Sequence, residues 1–344
     1  MAVMTVNGAI PCSSLGITSP HEHAYIDIRN QYKESDVFRS SGHDIKVNAD
    51  LLPHLMVNPY CVRDNLVLDD ENQCVFEMGL AAAAGLKTFV DATPCHIGRD
   101  PLILKRLSER TGLNIVAGCG YYTSDTHPEC VRTFNEHALA DNIINEIHNG
   151  IDDTGIKPGI IGEIGTSRDI GPDESKVLRA AAAANRATGA PVMVHLYPWG
   201  RSGLDVLDIL EESGTDLERV CLCHTDVALD LPYMLKLLER GAFLEFDNFG
   251  KEFKSDAAYG NFPTDDERLG ILYKLVDAGF GKMLLASCDI CLKVLYKTNG
   301  GVGYAHLLTT IAAKIREQRE DAEQILFDLL SANPARYLDN PMLD

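Results

Sequence analysis

A closed (β/α)8 TIM barrel is the fold class the sequence predicts, on three observations. Short apolar runs alternate with longer amphipathic segments along nearly all of the 344 residues. The runs are near-continuous in Val, Ile and Ala, as parallel strands covered on both faces require. The Gly-rich phosphate loop that usually follows the first strand of an open doubly wound sheet is absent, and His21-Glu22-His23 stands in its place.

The first strand is expected at 21–26 and the others at 86–93, 114–121, 159–165, 191–196, 219–224, 242–246 and 282–289. Helical spacing fills the intervals at 71–84, 102–111, 138–148, 174–188, 203–213, 231–240 and 265–278. In the first of these, Val75, Met78, Gly79 and Ala82 recur at i, i+3, i+4 and i+7. Gly85, Gly112, Gly189, Gly214, Gly241 and Gly279 follow the last turns, where a helix C-terminus favours glycine. Segments 304–314 and 322–331 supply terminal helices before Asn333-Pro334. The polar stretch 29–65 is too long for a simple β–α connection and is expected to lie over the barrel mouth. No linker divides the chain, so residues 1–344 are expected to form a single domain.

With 45% hydrophobic and 24% charged residues, the composition is that of a soluble globular protein. No apolar run reaches the roughly 18 residues that a membrane span needs. Residues 1–8 lack a basic, apolar leader, so a cytoplasmic protein is expected. A net charge of −19 argues against nucleic acid or an anionic membrane as partner. It leaves the charge of a small-molecule substrate open, because a metal and a few lysines can dominate one site. The ten cysteines are spread thinly, and Cys119, Cys221, Cys223 and Cys288 lie inside apolar runs. They read as reduced thiols. Cys221 and Cys223 are expected to face the helical shell, because His224 needs the opposite orientation.

In a barrel of this class, catalytic groups sit at the C-terminal ends of the strands. Collecting the polar residues that end the apolar runs yields His21 and His23, then Glu163, His195, His224 and Asp289. On a strand, residues i and i+2 share a face, so His21 and His23 point into one space and Glu22 points away. Four imidazoles and two carboxylates exceed the needs of one tetrahedral zinc and suit two bridged divalent ions.

The arrangement resembles the phosphotriesterase-like family of the amidohydrolase superfamily, from Gly16-Ile17-Thr18-Ser19-Pro20-His21-Glu22-His23 to Asn333-Pro334-Ala335-Arg336. Asp91-Ala92-Thr93-Pro94, Gly98-Arg99-Asp100, Gly162-Glu163-Ile164-Gly165-Thr166-Ser167 and Gly300-Gly301-Val302-Gly303-Tyr304 carry the same likeness. The resemblance implies that His21, His23 and Asp289 hold a more buried metal and that His195 and His224 hold a more exposed one. The strand-4 residue would bridge the two. The best-known members bridge with a carboxylated lysine, whereas this chain has Glu163, as in one branch of the family. Two divalent ions, zinc with manganese or cobalt as substitutes, and a homodimer are what the family implies. Asp289 would act as the catalytic proton carrier.

For substrate contacts, Lys251 follows strand 7, and Lys293 and Tyr296 follow Asp289. Barrel loops 7 and 8 commonly bind phosphate, so these residues are expected to hold an anionic group. Arg99, Tyr121 and Tyr122 would line the pocket or close the barrel end. The expected activity is that of a lactonase or carboxylic-ester hydrolase, acting on a sugar lactone with or without phosphate. The alternatives are hydrolysis of N-acyl amino compounds, phosphotriester turnover as a side activity, and a ligand-binding barrel without turnover. The complete ligand set argues against the last.

Overall fold

The computed structural model describes residues 1–36, 45–254 and 260–343. Its centre is a nearly closed barrel of parallel strands: β1 (Thr18–Glu22), β2 (Thr88–Asp91), β3 (Asn114–Cys119), β4 (Ile160–Gly165), β5 (Val192–His195), β6 (Val220–Leu222), β7 (Phe243–Phe246) and β8 (Leu284–Ala286). The sheet order follows the chain order. The amphipathic intervals form α1 (Glu71–Ala83), α2 (Pro101–Thr111), α3 (Glu136–Asn149), α4 (Pro172–Thr188), α5 (Gly203–Glu212), α6 (Leu231–Glu239), α7 (Asp265–Leu275) and α8 (Ala312–Gln318).

Their boundaries have local causes. Asp70, Asp100, Asn135 and Asp230 each accept a backbone N–H in the first turn of α1, α2, α3 and α6. Such caps are worth about 0.5–2 kcal/mol each. Thr264 and Glu267 form a reciprocal capping box at α7. Gly112 and Gly189 close α2 and α4 in the left-handed region, at φ 73° and 71°, where a Cβ would be strained.

The strands are buried on both sides. Val90, Val116, Ile160, Met193, Phe243 and Leu285 form an inner cluster, which Val3, Leu15, Tyr337 and Leu338 plug from the N-terminal end of the barrel. Phe89, Ile115, Ile161, Val194, Leu222, Leu244 and Leu284 join the larger cluster under the helices. Val3 belongs to a hairpin, Ala2–Thr5 against Gly8–Pro11, that periodicity did not reveal.

Three differences from expectation bear on the site. First, β1 starts before the predicted 21–26 segment and ends at Glu22. Beyond it, the Asp91 carboxylate takes the Ala24 N–H at 2.7 Å, and Ile26–Asp27 pairs antiparallel with Val67–Leu68. Second, β1 and β8 share no strand ladder. The buried Glu22 carboxylate joins them by accepting the N–H groups of Cys288 and Ile290 at 3.0 and 2.8 Å. Third, Cys221 and Cys223 face the barrel interior, not the helical shell. His224 has a φ of +58°, which breaks the alternation and lets Cys223 and His224 both point inward.

No helix among the described residues is long and apolar enough to cross a membrane. Part of the 29–65 stretch does reach the barrel mouth, where Asn30, Gln31, Lys33 and Tyr60 line the pocket. Its residues 37–44 lie outside the described residues.

Candidate metal centre

The residues predicted as metal ligands meet at the C-terminal mouth of the barrel. His23 Nε2 lies 3.1 Å from Asp289 Oδ1 and 3.5 Å from Glu163 Oε1. His21 Nε2 lies 3.6 Å from Glu163 Oε2 and 3.8 Å from Asp289 Oδ1. The same Oε2 is 3.3 Å from His195 Nδ1 and 3.5 Å from His224 Nε2. Glu163 thus faces all four imidazoles, and His195, its side chain 13% accessible, is the most exposed member. An irregular register between β4 and both neighbours turns Glu163 inward, out of step with Ile161 and Ile164. Bulges commonly re-aim side chains in this way.

Three of the four imidazoles are held from behind. Asp247, at the end of β7, reaches His224 Nδ1 at 3.0 Å and His21 Nδ1 at 3.2 Å, which directs both Nε2 atoms toward Glu163. Thr93 Oγ1 holds His23 Nδ1 at 2.8 Å, and Asp91 in turn accepts the Thr93 N–H. His195 presents Nδ1, which the Tyr122 hydroxyl approaches at 3.1 Å. Asp247 rests on a buried relay. Asn248 Nδ2 donates to both Asp247 and Asp226, and Asp226 pairs with the fully buried Arg268 at 3.0 Å. Arg268 also donates to the Lys251 carbonyl at 2.9 Å.

The electrostatics call for added positive charge. Burial disfavours protonation of His21, yet Glu163, Asp247 and Asp289 outweigh it and hold its pKa well above the usual value. Burial likewise opposes ionisation of Glu163, and the surrounding imidazoles overcome it and push its pKa well down. Both ring nitrogens of His21, Glu163 Oε2 and Asp289 Oδ1 are buried with no hydrogen-bond partner, so Asp247 acts on His21 Nδ1 as a charge. Buried polar groups rarely stay unpaired, and all but His21 Nδ1 face one another. Subsets of the six, including His21–His23–Glu163 and Glu163–His195–His224, bring one ligand atom each within 4.8 Å of the others. The donor set therefore fits divalent cations.

Above the centre is a cavity of about 350 Å³. Ile28, Tyr60, Tyr197, Trp199 and Phe262 supply apolar wall, and Lys251 and Cys291 lie near the floor. The Lys251 ammonium touches Asp289 and is almost fully buried. The other expected substrate contacts lie elsewhere. Lys293 is held by Asp64 at 3.1 Å and Asp69 at 3.4 Å, outside the pocket lining. Tyr296 is 1% exposed and packs on Tyr304, 5.7 Å between ring centres. Tyr121 accepts a hydrogen bond from Asn142, while its neighbour Tyr122 enters the pocket. Arg99 does not line the pocket: Glu146 of α3 binds it through both carboxylate oxygens, and it donates to the Gly118 carbonyl of β3 at 3.3 Å. A phosphate cradle built on Lys251, Lys293 and Tyr296 is therefore not formed. Tyr122 lines the pocket, as expected, whereas Asp247 is a site residue that the pattern of run ends did not bring out, although it follows an apolar run much as Asp289 ends one.

A profile of the phosphotriesterase family matches residues 1–338. The chain belongs to the phosphotriesterase family. The human N-acetyltaurine hydrolase is 34% identical over 340 residues, covering 98% of this chain and 97% of the human one. Among solved structures, a resiniferatoxin-binding protein from Rhodobacter sphaeroides superposes with a TM-score of 0.95 at 37% identity, covering 98% of this chain and 95% of that one. A lactonase from Listeria monocytogenes superposes with a TM-score of 0.81 at 26% identity, covering 99% of both chains. Family and site together make the chain a metal-dependent hydrolase.

Proposed function

We propose that this member of the family is a binuclear amidohydrolase that cleaves N-acyl amino compounds to a carboxylic acid and an amine. The observation that carries the reading is the convergence of six donors on one buried point beneath a cavity of about 350 Å³. His21, His23 and Asp289 would hold one divalent ion, and His195 and His224 the other, with Glu163 shared. Imidazole and carboxylate donors suit zinc, and manganese or cobalt can substitute. Ions so held supply an activated water near neutral pH and an electrophile for the scissile carbonyl.

The protein's own groups do the rest. Asp289 takes the proton of the attacking water and passes it to the leaving nitrogen. Burial keeps the Tyr122 hydroxyl protonated, so it can donate a hydrogen bond beside His195 to the carbonyl oxygen as charge develops there. Lys251, packed on Asp289, holds that carboxylate ionised and in place.

The amide is favoured over the lactone by the relatives. The hydrolase named for N-acetyltaurine is 34% identical, against 26% for the lactonase. The test is a panel on metal-reconstituted protein: N-acetyltaurine, N-acetyl amino acids, simple esters, and sugar lactones with and without phosphate. The highest kcat/KM is expected among the N-acyl amides. Rapid lactone turnover with the amides untouched would return the assignment to a lactonase.

A further inference from the structure

The rim of the cavity carries a guanidinium that the chemistry above does not use. Arg168 follows β4, five residues after Glu163, and lines the cavity. Its Nη2 donates to the Tyr197 hydroxyl at 3.2 Å, and its guanidinium carbon sits 5.1 Å from the centre of the Tyr197 ring. Tyr197 follows His195 on β5, so Arg168 is held between the rim loops of two strands that supply site residues.

The loop is anchored. The Glu174 carboxylate accepts the N–H groups of Ser167 and Gly171, and the Ser167 hydroxyl as well. Those bonds bracket Arg168 on both sides and fix where its backbone stands.

Arg168 also differs from guanidiniums on neighbouring rim loops. Arg29, after β1, is taken by Asp27, and Arg201, after β5, pairs with Asp230 at 3.0 Å. Arg168 has only the neutral phenol and ring of Tyr197 as partners among the described residues. At the floor, the Lys251 ammonium is already committed to Asp289. Arg168 is exposed, and the neighbouring Asp169 acts on it only through space. In a chain of net charge −19, a pre-positioned guanidinium with no carboxylate bonded to it among the described residues is available to an anion from solution. Its planar fork matches two oxygens of a sulfonate or carboxylate.

We infer that Arg168 is the specificity residue that binds the anionic end of the substrate, so that the preferred N-acyl amine carries a sulfonate or carboxylate. The amide part of that statement rests on the proposed function; the anion part does not.

The experiment compares N-acetyltaurine with its neutral methyl sulfone analogue, in the wild type, Arg168→Met and Arg168→Lys. In parallel, the inhibition constant of ethanesulfonate is measured against whichever substrate turns over, amide or lactone. Arg168→Met is expected to lower the preference for sulfonate over sulfone about tenfold, chiefly through KM, as for loss of one charge-assisted contact. Ethanesulfonate inhibition should weaken by a similar factor, and Arg168→Lys should recover part of both. An unchanged preference with unchanged inhibition overturns the inference, as does an equal fall on both substrates. If the protein hydrolyses no amide, the proposed function fails, and the ethanesulfonate arm still decides the role of Arg168.

Discussion

Replacing Asp247 by Asn keeps the side chain's shape and removes one acceptor. Asp247 spends one oxygen on each of two imidazoles, 3.0 Å from His224 Nδ1 and 3.2 Å from His21 Nδ1. With His224 Nδ1 hydrogen-bonded to Asp247 and His21 Nδ1 in charge contact with it, each Nε2 faces Glu163 Oε2, at 3.5 and 3.6 Å. An amide presents one oxygen and one NH2, so one of the two imidazoles meets a donor where it needs an acceptor. That ring must rotate or change tautomer, and either change draws its lone pair away from the shared centre. Loss of a carboxylate behind a metal-binding histidine typically costs 10- to 100-fold in metal affinity. Asp247→Asn is expected to fall in that range, measured as zinc affinity by competition with a chromogenic chelator. The metal-free protein should keep its circular dichroism spectrum. An affinity within twofold of wild type would refute the claim that Asp247 orients the two ligands.

Other substitutions separate the roles. Asp289→Asn should cut turnover by roughly 10²-fold or more with much of the metal retained, whereas Glu163→Ala should lose metal, both read from kcat beside elemental analysis. Arg268→Met leaves Asp226 buried without its counterion, while Asp265 keeps His306; unfolding in urea should show a loss of about 3–5 kcal/mol. Burial, reinforced by Asp247, pushes the Glu245 carboxyl up to about 8, so between about 4.5 and 8 the folded state keeps a proton that the unfolded chain has released. That contribution lowers stability as pH rises, by up to about 1.4 kcal/mol per unit. Metal-free Glu245→Gln should lack that part of the decline, and parallel stability–pH curves for the two proteins would contradict the assignment.

The alternation of apolar runs and amphipathic segments locates the barrel strands and helices, because burial on both faces leaves a strand few other compositions. The same pattern exposes Glu163, His195, His224 and Asp289 at or near the ends of their runs, and His21 and His23 at the start of the first. What it does not convey is side-chain direction wherever the backbone leaves the regular pleat. The positive φ of His224 reverses the facing inferred for Cys221 and Cys223. Gly120, at φ 103°, interrupts the alternation before Tyr121 and Tyr122, so period two cannot tell which tyrosine enters the pocket. Loop contacts were less legible still. Lys293 lies four residues beyond Asp289, but its partner Asp64 lies far away in sequence, in the stretch that crosses the mouth. Tyr296 turns inward because Tyr304 offers it a packing surface. Such pairings are set by tertiary contact and leave no local pattern.

The central claim is that these six side chains form one binuclear centre, and metal stoichiometry tests it most directly. Metal-free protein reconstituted with zinc, passed over a desalting column and analysed by inductively coupled plasma mass spectrometry, should retain about two ions per chain. Retention of a single ion, or of none, would contradict the account.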